Sequence, residues 1–260
     1  MGKIVSFSNQ KGGVGKTTTC VNMAAYLAVR GKKTLLVDID PQGNSTTGLG
    51  YSKRTLKHSV YNVLIEDEKP QKSILNTEVE GLDLLPANID LAGAEVELVY
   101  KKNRERILRE ALLPLKEEYD YILIDCPPSL GLLTINALTS ADSVIIPIQS
   151  EYYAMEGLSQ LMNSISLVKQ RLNKDLKVEG VVLTMYDDRA TISRQIVSEI
   201  KRYFSKTLYE IVIPRNIRLS EAPSHGKPIV LHDPKCRGAR AYQALTDEFL
   251  ARQEKTESEE

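Results

Sequence analysis

The sequence predicts an α/β protein built on one doubly wound, mostly parallel sheet with helices on both faces. Three observations predict it. Short runs rich in Val, Ile and Leu recur along the chain without polar alternation, as strands covered on both faces require. Helix-forming stretches separate these runs. The first run leads straight into a glycine-rich loop and a further helical stretch, so the chain opens on a strand–loop–helix unit.

The apolar runs at 4–8, 34–38, 82–86, 121–125, 143–148, 180–185 and 209–214 are read as seven strands. Residues 17–30 read as a helix that Gly31 ends as a C-cap. Residues 91–118 read as one long helix, rich in Glu, Lys, Arg, Ala and Leu. Two more helices are expected at 157–172 and 191–205, the latter from Ile192, Ile196, Ile200 and Phe204 at helical spacing. No composition break divides residues 1–252, which are expected to form a single domain. Residues 253–260, mostly acidic, read as a flexible, solvated tail.

Composition narrows the function classes. The 260 residues carry 34 basic and 34 acidic side chains, so the whole molecule is no obvious polyanion binder. Cys20, Cys126 and Cys236 stand far apart without CxxC spacing, which argues against zinc or a disulfide framework and for a reducing, cytoplasmic setting. The strand pattern begins at once, leaving no room for a signal peptide, and no apolar run approaches a membrane span.

Chemistry concentrates first in residues 11–18, Lys11-Gly12-Gly13-Val14-Gly15-Lys16-Thr17-Thr18. Glycines at 12, 13 and 15 let the backbone curl and aim its N–H groups at phosphate oxygens, and the helix that follows adds its positive end. Lys16 is placed to reach the β- and γ-phosphates of a nucleotide, and the Thr17 hydroxyl to hold Mg²⁺. Two later runs end in acids at the expected carboxyl ends of strands, where a ligand crevice opens. Asp38 closes the run at 34–38 with Asp40 two residues beyond it, and Asp125 closes the run at 121–125. Asp125 beside a phosphate cradle reads as a Mg²⁺ carboxylate, direct or through water. Its neighbour Cys126 reads as a small buried residue rather than a nucleophile.

The even charge balance hides an asymmetry. Residues 169–240 hold 15 basic against 8 acidic side chains, a net of +7. Arg194, Lys201 and Arg202 fall on the outward side of the helix at 191–205, while Arg189, Arg218, Lys227 and Arg240 lie in or near loops. A solvated basic surface and a phosphate-contacting surface both account for this pattern.

The loop KGGVGKTT resembles the deviant Walker A signature of the ParA/MinD class of SIMIBI-type P-loop ATPases. The segments DIDPQGN, IDCPPSLGLLTINAL, EYYAMEGLSQL and PRNIRLSEAPSHGKPI resemble the short ParA, or Soj, partition proteins. That resemblance runs from Lys3 to about residue 250 and implies a list of roles. Lys11 would reach across an ATP-sandwiched homodimer to the partner's nucleotide. Asp40 would position the hydrolytic water near the metal, with Asp38 in support; residues 127–131 would form a switch, and Pro214, Arg215 and Asn216 would lie against adenine. It further implies nonspecific binding of double-stranded DNA by the basic quarter, a nucleoid-associated location, and a ParB-type centromere-binding partner that stimulates hydrolysis. Rival readings include a MinD-like membrane-associated ATPase and a metabolic P-loop enzyme, and a third, the nitrogenase iron protein, is not suggested by the scattered cysteines. The acidic end argues against the first and the want of a spare polar constellation against the second.

Overall fold

Alternating apolar residues explain how one sheet is covered twice. In the computed structural model, β1 (Lys3–Phe7) sends Ile4 to one face and Val5 and Phe7 to the other, while β2 (Thr34–Asp38) splits Leu35 and Val37 from Leu36. The structure describes residues 2–149, 154–187 and 191–259, and side chains throughout these except at 154–156, 191–195 and 256–259. The remaining strands are β3 (Leu75–Asn76), β4 (Leu82–Leu85), β5 (Tyr121–Asp125), β6 (Ser143–Gln149) and β7 (Lys177–Thr184). They are ordered β3-β4-β2-β5-β1-β6-β7, and every pair is parallel except the antiparallel edge β3–β4. The doubly wound α/β expectation stands.

The Val5, Phe7, Leu36 and Leu123 face is covered by α1 (Lys16–Val29), through Ala24 and Leu27, and by α11 (Arg237–Glu259), through Tyr242, Leu245 and Phe249. The opposite face carries α3 (Val60–Ile65), α4 (Leu91–Leu98), α5 (Ile107–Leu112), α6 (Leu132–Ser140), α7 (Ala154–Arg171) and α8 (Thr191–Phe204). Short helices α2 (Asn44–Gly48), α9 (Ile217–Glu221) and α10 (Ile229–His232) belong to the loops around the site.

Three expectations change. The long helix at 91–118 is instead α4, α5 and a 3₁₀ turn at Pro114–Glu117: Asn103 adopts φ 52°, outside the helical region, and Pro114 has no N–H to continue α5. The run at 209–214 is not a strand. It makes two isolated bridges, Val181–Leu208 and Tyr186–Pro214. Between them the Glu248 carboxylate accepts the N–H groups of Glu210 and Ile211, each at 3.0 Å, so these donors are lost to the ladder. The expected tail at 253–260 begins inside α11, whose backbone stays helical to Glu259. Gln253 is buried and bonded to Lys3, and its Nε2 donates to Glu179 at 2.7 Å, which ties the helix to the base of β1 and β7.

Candidate functional site

The strand register sets the chemistry. Asp38 ends β2 directly beside Asp125 at the end of β5, and Phe7 of β1 pairs with Asp125 from the other side. The two acids and the loop after β1 therefore share one edge of the sheet, the crevice at the carboxyl ends of parallel strands.

The loop itself is held from several directions. Asn9 Nδ2 donates to Pro147 O at 2.7 Å, and Asn9 Oδ1 accepts the Lys11 N–H at 3.0 Å. Thr184 Oγ1 donates to Val14 O at 2.7 Å, tying the loop to β7. Gly13 and Gly15 take φ values of 74° and 84°, which only glycine adopts without strain, and Gly15 opens α1. A methyl group added at Gly12 or Gly13 would meet nothing within 4 Å, so the loop leaves open space over its backbone. Lys16 is buried, with Nζ donating to Lys11 O at 3.3 Å. Burial holds its ammonium below the usual lysine range, against the opposing pull of Asp125, Cys126 and Asp40.

The carboxylates divide the work. Asp38 is spent on structure: its Oδ2 accepts the Thr46 N–H at 2.8 Å and Thr46 Oγ1–H at 2.7 Å, and its Oδ1 accepts the Asp40 N–H at 3.2 Å. Thr46 Oγ1 in turn accepts the Ala87 N–H at 2.9 Å, so α2 is bolted to both β2 and the segment after β4. Asp40 accepts the Gln42 N–H at 2.9 Å and shapes the turn into α2. Asp125 is fully buried; Oδ2 accepts from Ser45 Oγ at 2.8 Å, and Oδ1 has no hydrogen-bond partner among the described residues. Burial raises the Asp125 carboxyl well above its ordinary range, the Asp38 charge adds to it, and the Ser45 and Thr17 hydroxyls oppose it. A buried carboxylate with an open oxygen beside a threonine hydroxyl is the donor set a hard cation takes. Burial also pushes the Cys126 thiol to about 12, which leaves it no thiolate character.

A cavity of about 410 Å³ completes the site, lined by Gly15, Thr17, Thr18, Pro214, Arg215 and Asn216 among others. The structure thus joins the loop residues to a segment 200 positions away, with Asn216 Oδ1 capping α9 at the Arg218 N–H, 2.8 Å. Ser45, Thr46, Asn9 and Thr184 were not anticipated. Only Ser45 and Thr46 carry a sequence signal, standing just after the turn that Asp40 begins.

The basic residues do not gather into the site. Lys201, Arg202 and Arg240 are exposed on α8 and α11. Arg218 is exposed but ion-paired with Glu221 at 2.8 Å and Asp233 at 3.6 Å; Lys227 pairs with Glu78 at 3.2 Å. Arg189 lies outside the described residues, and Arg194 is described only as backbone of α8. Among the described residues no helix is long and apolar enough to cross a membrane.

Comparison with known proteins places this geometry. Residues 2–178 match the family model for the AAA domain. The chain is 59% identical over 251 residues to the sporulation initiation inhibitor protein Soj of Bacillus subtilis, covering 96% of this chain and 99% of that one. It is 57% identical over 252 residues to the chromosome partitioning protein ParA of Myxococcus xanthus, covering 97% and 89%. Among solved structures, a Mycobacterium smegmatis protein described as cobyrinic acid a,c-diamide synthase, with ADP and magnesium bound, is 40% identical, covers 98% and 96%, and superposes with a TM-score of 0.86. A plasmid partition protein of Borrelia burgdorferi bound to AMPPNP is 25% identical, covers 97% and 100%, and gives a TM-score of 0.81. With its phosphate-cradle loop, its paired strand-end acids and relatives matched along nearly their whole length, the chain belongs to the Soj/ParA family of chromosome-partitioning P-loop ATPases.

Proposed function

We propose that this protein is an ATP-dependent chromosome or plasmid partition protein. It binds ATP with Mg²⁺, forms an ATP-sandwiched homodimer, binds duplex DNA without regard to sequence, and hydrolyses ATP slowly until a ParB-type centromere-binding partner accelerates it. The observation that carries this reading is the convergence on one crevice of Lys16, the open oxygen of Asp125 and a cavity walled by Thr17, Thr18, Arg215 and Asn216.

The roles in this proposal combine the site's geometry with the family resemblance. The backbone of residues 12–16 and the α1 terminus receive phosphate oxygens, and Lys16 turns its ammonium from the Lys11 carbonyl toward them. Pro214, Arg215 and Asn216 close on the base. Thr17, Asp125 and Asp40 would hold the Mg²⁺, which would supply neutralisation of phosphate charge when bound. Asp40 orients the attacking water, and Lys11 reaches the partner protomer's phosphates. DNA binding falls to the exposed basic residues Lys201, Arg202 and Arg240, with Arg189, Arg194, Arg218 and Lys227. A dimer doubles the phosphate contacts of one protomer at high local concentration, so ATP switches affinity by orders of magnitude without remodelling either copy. The protein then works in the cytoplasm, on the nucleoid.

The test is duplex-DNA binding with ATP, with ADP and without nucleotide, at several salt concentrations. Binding is expected only with ATP, alike for unrelated sequences, and lost in Lys16→Ala along with ATP affinity measured by calorimetry. Nucleotide-independent binding, or near-native ATP affinity in Lys16→Ala, overturns the reading.

A further inference from the structure

Among the described residues, two carboxylates hold a buried oxygen with no hydrogen-bond partner: Asp125 Oδ1 and Glu95 Oε1. They stand at opposite ends of one loop. Asp125 begins the 126–131 connection at the end of β5; Glu95, on α4, lies against its last residue, Gly131. The contact is close enough to define what Gly131 can be. A Cβ built there would fall 1.9 Å from Glu95 Oε1 and 2.8 Å from Oε2, so the carboxylate occupies the space a side chain would need. Gly131 has φ −78°, an ordinary backbone value, which leaves room for Glu95 as the reason for glycine here.

Gly131 is also the N-cap of α6, and no side chain caps that helix. The first turn of a helix carries N–H groups without intrahelical partners, and an acidic group there is favourable. Glu95 brings such a group from a neighbouring helix and still has one oxygen to spare. A buried acceptor left open is costly and calls for a reason. At the other end of the loop, the open oxygen of Asp125 has one: the cation. Leaving the second open is explained if the loop has another position in which its amides reach Glu95.

We propose that Glu95 is a positioning residue for ATP hydrolysis, its open Oε1 accepting backbone N–H from the loop end and first turn of α6 when the loop is drawn toward Asp125. The loop is then held at both ends, by Asp125 with the cation and by Glu95. The loop is also tied to α6, through Thr134 Oγ1 donating to Ser129 O at 2.6 Å. α4 is a firm support for this role, since Leu91, Ala94 and Leu98 are fully buried beneath it.

The inference rests on the hydrolysis proposed above, and the experiment separates the two. ATP turnover at saturating Mg-ATP and the affinity for a fluorescent ATP analogue are measured for wild type, Glu95→Ala, Glu95→Gln, Gly131→Ala and the double Gly131→Ala/Glu95→Ala. Wild type without turnover means that the hydrolysis reading itself fails. Given turnover, Glu95→Ala is expected to lower kcat about tenfold with nucleotide affinity unchanged and a melting temperature no lower than wild type. Glu95→Gln should recover most of the rate, because its amide oxygen still accepts an N–H. Gly131→Ala displaces only the far end of a flexible side chain, so it should reproduce the Glu95→Ala defect, and the double variant should be no worse than either single one. Full turnover in Glu95→Ala, no recovery in Glu95→Gln, or multiplied effects in the double variant would overturn the proposal.

Discussion

Asp38 and Thr46 are joined twice, the Asp38 Oδ2 accepting both the amide and the hydroxyl of Thr46 at 2.8 and 2.7 Å. That pair turns the nearest strand-end acid into a bolt for α2, whereas Asp125, the strand-end acid beside it, keeps an open oxygen. Asp38 Oδ1 also accepts the Asp40 N–H at 3.2 Å and so fixes the backbone on which Asp40 stands.

Thr46→Val keeps the volume and removes the hydroxyl. It strands the Ala87 N–H in a dry interior and removes one of the two hydrogen bonds that Asp38 Oδ2 accepts. Chemical denaturation should show a loss of about 2 kcal/mol. An unchanged denaturation midpoint would mean that the bolt carries no stability.

Asp125→Asn should stabilise the nucleotide-free protein. The Asp125 carboxyl is raised in the folded state by burial, then by Asp38, so above its unfolded value of 3.8 the unfolded chain ionises more readily and folding opposes the charge. Removing the charge should gain about 1 kcal/mol at neutral pH. Magnesium-dependent stabilisation by ATP should vanish in the same variant. A lower melting temperature without nucleotide would contradict the sign.

Lys11 and Asp40 should separate three steps. Lys11→Ala is expected to keep ATP binding yet fail to form the ATP-dependent dimer in sedimentation. Asp40→Ala should bind Mg-ATP, dimerise and stay on DNA without turnover. A normal dimer in the first, or normal turnover in the second, removes that residue from its role.

Charge reversal on the basic surface should rank by pairing. Lys201→Glu and Arg202→Glu should weaken binding to every duplex alike and flatten the salt slope by about 0.9 per lost contact. Arg218→Glu should cost less, since Glu221 and Asp233 already share its guanidinium. Filter binding at two salt concentrations checks both; wild-type affinity in all three would leave the patch a solvated surface.

Acid stability should depend on Glu179. Burial alone would raise its carboxyl, but the Lys3 charge and hydrogen bonds from Lys3, Ser143 and Gln253 win and hold it below 4.5. A folded value below the unfolded one contributes stability above about pH 4.5 that is lost as pH falls through the folded value. Glu179→Gln should therefore be less stable at pH 7 and lose less on acidification. A wild-type pH profile in the variant would rule the network out as the cause.

What the sequence determined by itself is whatever depends on short stretches of chain. Unalternating apolar runs specify strands covered on both faces, and the Lys11–Thr18 spacing specifies a phosphate cradle, because backbone curl and helix start are local geometry. The place of Asp125 at a strand end was legible because an apolar run that stops at an acid marks the carboxyl end of a parallel strand, where the crevice opens. The tertiary structure decided everything that needs two distant segments. The bond pair from Thr46 to Asp38 exists only in the folded chain, and Pro214–Asn216 could line one cavity with Thr17 only once the sheet had ordered β7 beside β6. The 209–214 run has strand composition, yet Glu248 takes two of its amides. Gln253 looks like tail, yet Lys3 and Glu179 bury it. In each case hydrogen-bond partners far along the chain outweigh local propensity, because a buried polar group left unpaired costs more than propensity can offset.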